Sequence, residues 1–213
     1  MSFDDQSTYQ VRAEWGVAGL RRLAPADIVI VVDALRFTTT VTDRVAAGDV
    51  VPLDDDAFAV SINGAVVAAA AADTGAIVLA GSLRNAKAVA DAVLAIQHER
   101  AARTSIAVIA CGERVSRDSA EVRFAVEDQL AAGAIISALS DLGIDHTSPD
   151  AAVMGEGARA LSRACVHLFL ASASGRELVE MGRRDEVVSA ATRDAIDAVA
   201  ILRDGVFEAL VTN

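Results

Sequence analysis

A chain of 213 residues is long enough to bury a core without disulfides or structural metals. Thirty acidic residues against 19 basic ones give a net charge of −11, and no basic cluster forms a stripe that would track phosphates, which argues against nucleic acid as a partner. Hydrophobic residues make up 53% but aromatics only 4%, so the core has to be built from Ala, Val, Leu and Ile, as in helices packed on a buried sheet.

The N-terminal stretch MSFDDQSTYQ has no basic segment followed by an apolar one, so no signal peptide is expected. No charge-free apolar run reaches the roughly 18 residues of a membrane span, and no membrane partner is expected. Cys111 and Cys165 lack CxxC spacing and nearby His. Two buried, reduced cysteines in a cytoplasmic protein are therefore favoured over a zinc site or a structural disulfide.

Asp27 to Asp33 reads as a buried strand, because the aliphatic run IVIVV ends abruptly in a charge. Thr38 to Ala47 follows as a helix opened by threonine and stopped by Gly48. Asp49 to Leu53 is a second strand, with Pro52 marking an edge or an end. Phe58 to Ile62 reads as a third strand closed by Asn63-Gly64, before an alanine-rich helix from Ala65 to Ala72.

Ala76 to Ala80 is a fourth strand, leading through Gly81-Ser82 into a helix from about Arg84 to Arg100. Ser105 to Ala110 is a fifth, ending at Cys111-Gly112, and a long helix is expected from Ala120 to Leu142. The remainder is helical in pattern over Ala151 to Ala164, Ala173 to Met181 and around Val187. It ends in two short strands joined by Asp204-Gly205, a hairpin signal.

Strands alternating with helices predict an α/β fold, a mainly parallel sheet flanked by helices, as one domain over 1–213 or as two subdomains of about 1–147 and 148–213. Ligands of such sheets bind beyond the carboxyl ends of the strands. Four polar junctions gather there: Asp33 to Thr40, Ser61 to Ala65, Gly81 to Asn85 and Cys111 to Glu113.

Asp33 at a strand end either offers a carboxylate to a hard cation such as Mg²⁺ or caps the next helix. Arg36 either grips a phosphate or carboxylate with two donors or forms a surface ion pair. Thr38, Thr39 and Thr40 open a helix, whose hydroxyls and free N–H groups suit an anion. Asn63-Gly64 and Ser82 with Asn85 bring backbone N–H groups to similar junctions, although Asn-Gly alone is a turn signal.

Glu127 and Asp128 are adjacent on a helix and point about 100° apart, so one of them faces such a site or both are solvated. His98, His146 and His167 follow no strand end, and no Ser-His-Asp arrangement can be assembled. Metal-assisted chemistry on an oxyanion is the leading class.

The segment VVDALRFTTTVTDRVAAGDVVPL resembles the DVLRATTT signature that opens the 2-phosphosulfolactate phosphatase family. In the same order, SINGAVVAA resembles its TTNGT segment, LAGSLRNAKAVA its GS-x-x-NA segment, RFAVEDQLAAGAII its ED-x-x-x-AG helix and SASGRELVEMGRRDEV its SG-x-x-L-x-x-x-G segment. The resemblance implies an α/β fold of the family's own kind. It also implies Mg²⁺-dependent hydrolysis of the phosphate ester of sulfolactate, a step toward coenzyme M.

By that resemblance Asp33 and Glu127 or Asp128 would bind metal, with Arg36, Thr38 to Thr40, Asn63, Gly64, Ser82 and Asn85 around a small anionic phosphoester. Three departures accompany it. Only DDDAFAV separates Leu53 from Ser61, where family members carry several dozen residues with a stretch resembling GFDLGNSP. Ala65 replaces the threonine of NGT, and Phe37 the alanine after the signature Arg.

The shortening motivates an alternative, a catalytically inactive or regulatory homologue that keeps the anion pocket. A purely structural domain whose junctions are only helix caps is a third reading. The apolar, Ala-rich average favours a homo-oligomer.

Overall fold

The computed structural model describes residues 4–116, 119 and 121–211. The chain opens with β1 (Val11–Trp15), α1 (Gly16–Arg22) and β2 (Ile28–Val32), followed by α2 (Phe37–Ala46), β3 (Val51–Pro52), α3 (Asp55–Val60) and α4 (Gly64–Ala72). β4 (Ile77–Gly81) leads through a 3₁₀ turn at Leu83–Asn85 into α5 (Ala86–Arg100) and β5 (Ile106–Ala110).

A small ladder of β6 (Glu113–Arg114) with β7 (Val122–Arg123) precedes α6 (Val126–Asp141) and α7 (Pro149–Leu161). Next come α8 (Cys165–Ala171), α9 (Ala173–Glu180) and α10 (Arg184–Ala190). β8 (Ala200–Arg203) and β9 (Val206–Ala209) close the fold as a hairpin whose turn residues, Asp204 and Gly205, both have positive φ.

The main sheet has the order β1-β5-β2-β4-β8-β9-β3. β1, β5, β2 and β4 run parallel, and β8, β9 and β3 add antiparallel pairs beyond β4. β2 lies in the middle and is buried on both faces, which is why its sequence is an uninterrupted IVIVV. The two-residue period divides it: Ile28, Ile30 and Val32 join the core under α5 and α6, while Val29 and Val31 join the core under α1, α2 and α4. At roughly 1.5 to 3 kcal/mol per buried aliphatic side chain, this strand is a main contributor to the fold.

Several sequence expectations are corrected. Phe58 to Ile62 is not a strand: Asp54 accepts a hydrogen bond from the Ala57 N–H at 3.1 Å, and Asp55 and Asp56 sit in the first turn, so the segment begins as helix α3. Acidic residues there complement the helix dipole and outweigh the strand propensity of Phe and Val.

The helix predicted from Ala120 starts at Val126. Ala120 itself lies outside the described residues, and Val122–Arg123 pairs instead with Glu113–Arg114, a contact no local pattern announces. The strand predicted over Asp49 to Leu53 shortens to Val51–Pro52, at the sheet's edge as proline requires.

β1 and α1 carry no prediction. Arg12 interrupts the apolar pattern of β1, yet it is 5% exposed because its guanidinium donates to the carbonyls of Tyr9, Ala24, Pro25 and Ser7.

Candidate functional site

The parallel strands β1, β5, β2 and β4 end on one side, and β2 carries Asp33 to the middle of that edge. The loop after it is tied by Thr38, whose hydroxyl donates to the Asp33 carbonyl and accepts from the Asp33 N–H, both at 2.9 Å. Thr39 donates to the Ala34 carbonyl at 2.8 Å. These two hydroxyls hold the turn; Thr40 alone of the three is exposed, and it lines the cleft described below. The Leu35–Arg36 peptide within this turn is cis.

The Asp33 carboxyl is 6% exposed. One oxygen accepts from the Phe37 N–H at 3.2 Å, the Gly64 N–H also bonds to the group, and the Ser61 hydroxyl lies 3.5 Å from the other oxygen. Burial outweighs these donors and, with the nearby charge of Glu127, raises the Asp33 pKa to about 6.

Gly64 is required by proximity. A Cβ there would stand 2.5 Å from an Asp33 carboxylate oxygen and 2.6 Å from the Phe37 Cβ. The N-terminus of α4 can close on Asp33 only without a side chain at its first residue.

Asp128 has a different task. Its two oxygens accept from the Ala34 N–H at 2.7 Å and the Gly112 N–H at 2.8 Å, so it staples the loops after β2 and β5 from the first turn of α6. Burial, then Asp33 and Glu127, push its pKa well above the usual carboxylate range. Glu127 is also buried, at 3% exposure, and its carboxylate accepts no hydrogen bond from a described residue. Its charge acts on Asp33, Asp128 and Glu113. Both helix acids are therefore buried, and the reading of a solvated pair is corrected.

Cys111, fully buried beside Asp33 and Asp128, has its thiol pKa pushed up by burial first and by those two acids next. That holds it in the protonated, unreactive form.

Asp33 opens into a cleft of about 710 Å³ between the α2 and α4 side of the edge and α9. Arg36, Asn63, Glu113, Arg114, Glu177 and Arg183 contribute its polar wall. Phe37, Val41, Val51 and Leu178 contribute apolar surface. Asn63 receives the Arg114 N–H at 3.3 Å, which fastens the β6 ladder to the α4 turn.

Ser82 and Asn85 lie elsewhere. Both are 0% exposed and form a reciprocal cap, with the Asn85 carbonyl oxygen accepting from the Ser82 N–H and hydroxyl at 2.9 Å. The Asn85 amide donates to the carbonyls of Ala80 and Ala198 at 3.4 and 3.2 Å, joining β4 to the approach of β8. The structure thus brings together Asp33, Arg36, Thr40, Asn63, Gly64, Glu127 and Asp128. Thr38, Thr39, Ser82 and Asn85 are embedded in the frame behind them.

Among the described residues, no group of three His, Cys, Asp or Glu side chains is arranged to hold a metal ion. Mg²⁺ needs only one or two carboxylates when water and phosphate oxygens complete its shell. Glu127 accepts no hydrogen bond from a described residue and could serve as such a carboxylate, whereas Asp128 has both oxygens committed to backbone donors and Asp33 accepts from the Phe37 and Gly64 N–H groups. Ser61 and Glu113 fall within junctions the sequence marked, without a role of their own, whereas Arg114, Glu177 and Arg183 were not singled out by sequence. The last two belong to the SGRELVEMGRR segment, whose resemblance marks it without assigning a role.

A family model described as 2-phosphosulpholactate phosphatase matches residues 53–205. The chain belongs to this family. The matched span holds Ser61, Gly64, both α6 acids and Arg183. It begins after the Asp33 to Thr40 junction, so the 2-phosphosulpholactate phosphatase match and the β2 signature are separate stretches that the fold joins in one cleft. No curated protein matches the chain. No helix among the described residues is long and apolar enough to cross a membrane.

Proposed function

We propose that this chain is a phosphatase that hydrolyses the phosphate monoester of a small acidic hydroxy acid, in the cleft over Asp33. The observation that carries the reading is the buried Asp33 carboxyl with a pKa raised to about 6, at the floor of a cleft walled by Arg36, Arg114 and Arg183. A carboxylate in that range accepts a proton near neutral pH and returns it without a large cost in either direction. Family membership supports the reaction class.

In this mechanism a water oxygen attacks phosphorus as the ester P–O bond breaks. Asp33 takes the water's proton and returns it to the leaving alkoxide, giving inorganic phosphate and the free hydroxy acid. Arg36 faces the phosphoryl oxygens, where a guanidinium offsets the charge that grows in the transition state. Glu127 would hold Mg²⁺, which when bound would supply a further positive charge to the phosphate and leave Asp33 free for the proton. The Gly64 N–H orients the Asp33 carboxyl.

Phosphate release from a panel of phosphorylated hydroxy acids, with Mg²⁺ and with chelator, tests the proposal. Release that depends on Mg²⁺ and prefers esters bearing a further acid group is expected. A panel without release overturns it.

One observation favours the second reading, an anion-binding homologue without turnover: only DDDAFAV separates Leu53 from Ser61, where the family resemblance implies several dozen residues. That reading predicts thermal stabilisation by phosphate together with no hydrolysis.

A further inference from the structure

Glu177 and Leu178 of α9, and Arg183 just beyond it, line the same cleft as Asp33. Ser172 caps α9 by accepting from the Gly175 N–H at 3.0 Å. The helix ends where Gly182 takes φ +76° and the Arg183 N–H returns to the Leu178 carbonyl at 2.8 Å. This tight exit turns Arg183 into the cleft wall before α10 begins.

Arg183 does not stand alone. Its Nε and Nη2 donate to the two oxygens of Glu186 at 2.6 and 2.7 Å, and Arg36 Nη1 reaches the same carboxylate at 3.4 Å. Two guanidinium groups therefore share one carboxylate, and among the described residues neither has another ion-pair partner. Glu177, the other acid on this wall, acts on Glu113 at the far side of the cleft. Arg44 has its own partner in Asp49.

The Arg36, Glu186 and Arg183 group thus carries a net positive charge of one, in a cleft that Glu177, Glu113, Asp54 and Asp56 also line. Glu186 occupies only one edge of the Arg183 fork and leaves the Nη1 side unspent. A guanidinium held along one edge by a carboxylate presents its other edge in a fixed direction, which suits a second planar or tetrahedral oxyanion.

Resting on the proposed hydrolysis, we infer that Arg183 is a specificity-determining residue that receives a second anionic group of the substrate, a carboxylate or sulfonate, while the phosphate lies at Asp33 and Arg36. Substrates with a second acid group are favoured over esters with neutral tails. Glu186 positions the receiving fork.

The test uses the full chain with Mg²⁺ and two probes whose P–C bonds resist hydrolysis, phosphonoacetate and methylphosphonate, in calorimetric titrations at fixed salt. Wild type binds phosphonoacetate about tenfold or more tightly than methylphosphonate, the scale of one charge-assisted pair. Arg183→Gln brings the two affinities within about twofold, and Arg183→Lys restores part of the difference. Equal affinities in wild type, absence of phosphonoacetate binding, or a ratio that survives Arg183→Gln overturns the inference.

Phosphate release from acid-tailed esters, followed separately, decides the hydrolysis. A tenfold ratio lost in Arg183→Gln without any release defeats the phosphatase reading and leaves the second-anion site standing. Release with a ratio insensitive to Arg183 does the reverse.

Discussion

Replacing Asp33 with Asn should make the protein more stable at alkaline pH and less stable at acid pH. The folded-state pKa is about 6 against a reference of 3.8, so the folded chain binds the proton more tightly than the unfolded one. The stabilisation from that proton is fully present below about pH 3.8 and is lost as pH rises through about 6. A rise from 3.8 to about 6, at roughly 1.4 kcal/mol for each pH unit, means that the ionised group costs the fold roughly 3 kcal/mol above pH 7.

Asn removes the charge and keeps one oxygen for the Phe37 N–H, but it loses the second acceptor that faces Ser61, a loss of about 1 kcal/mol. A net gain of about 2 kcal/mol at pH 8 follows, or a melting temperature higher by about 4 to 8 °C for a chain of this size. Between pH 8 and pH 4 the difference between variant and wild type should swing by roughly 2 to 3 kcal/mol and change sign. Urea titrations of both proteins at the two pH values, in chelator so that no cation compensates the carboxylates, read this directly. An advantage of the same size at both pH values, or a variant less stable than wild type at pH 8, would refute the claim that burial strains this carboxyl.

Gly64→Ala should place a methyl against the Asp33 carboxylate and Phe37, lowering stability by about 1 to 3 kcal/mol and kcat by at least about tenfold; unchanged kinetics would show that α4 need not close on Asp33. Asp128→Ala leaves the buried N–H groups of Ala34 and Gly112 unpartnered and should cost roughly 2 to 4 kcal/mol, seen as a lower urea midpoint at constant m. A change under about 0.5 kcal/mol would remove the staple from the account. Asn85→Ala should lower stability by about 2 kcal/mol or more and leave KM within about twofold of wild type; a rise in KM of tenfold or more, with the fold intact, would bring Ser82 and Asn85 back to the substrate.

The central sheet was readable because its strands are buried on both faces, and burial writes itself into sequence as IVIVV and IAVIA. Asp33 was legible for the same reason, as a charge that no buried strand would carry past its end. The segment Phe58 to Ile62 has the side chains of a strand, but the three aspartates before it cap and favour a helix. β7 and the true start of α6 were hidden because their cause is a cross-strand pairing with Glu113–Arg114.

The threonines and the Ser82 and Asn85 pair show the main ambiguity of the site. A hydroxyl or amide at a helix start binds a ligand or its own backbone with the same chemistry, and burial decides between them here. Arg183 was invisible for the opposite reason. An arginine in a charged, exposed-looking helix junction gains meaning only when α9 and the turn after it are seen to line the same cleft as Asp33.

The central claim is that Asp33 handles the proton in hydrolysis, and its most direct test is kcat for release of phosphate from a phosphorylated hydroxy acid by wild type and Asp33→Asn, with Mg²⁺ at pH 7.5. The account predicts a fall of roughly 100-fold or more in a variant whose melting temperature is at or above that of wild type. An Asp33→Asn protein that turns over within about threefold of wild type would contradict it.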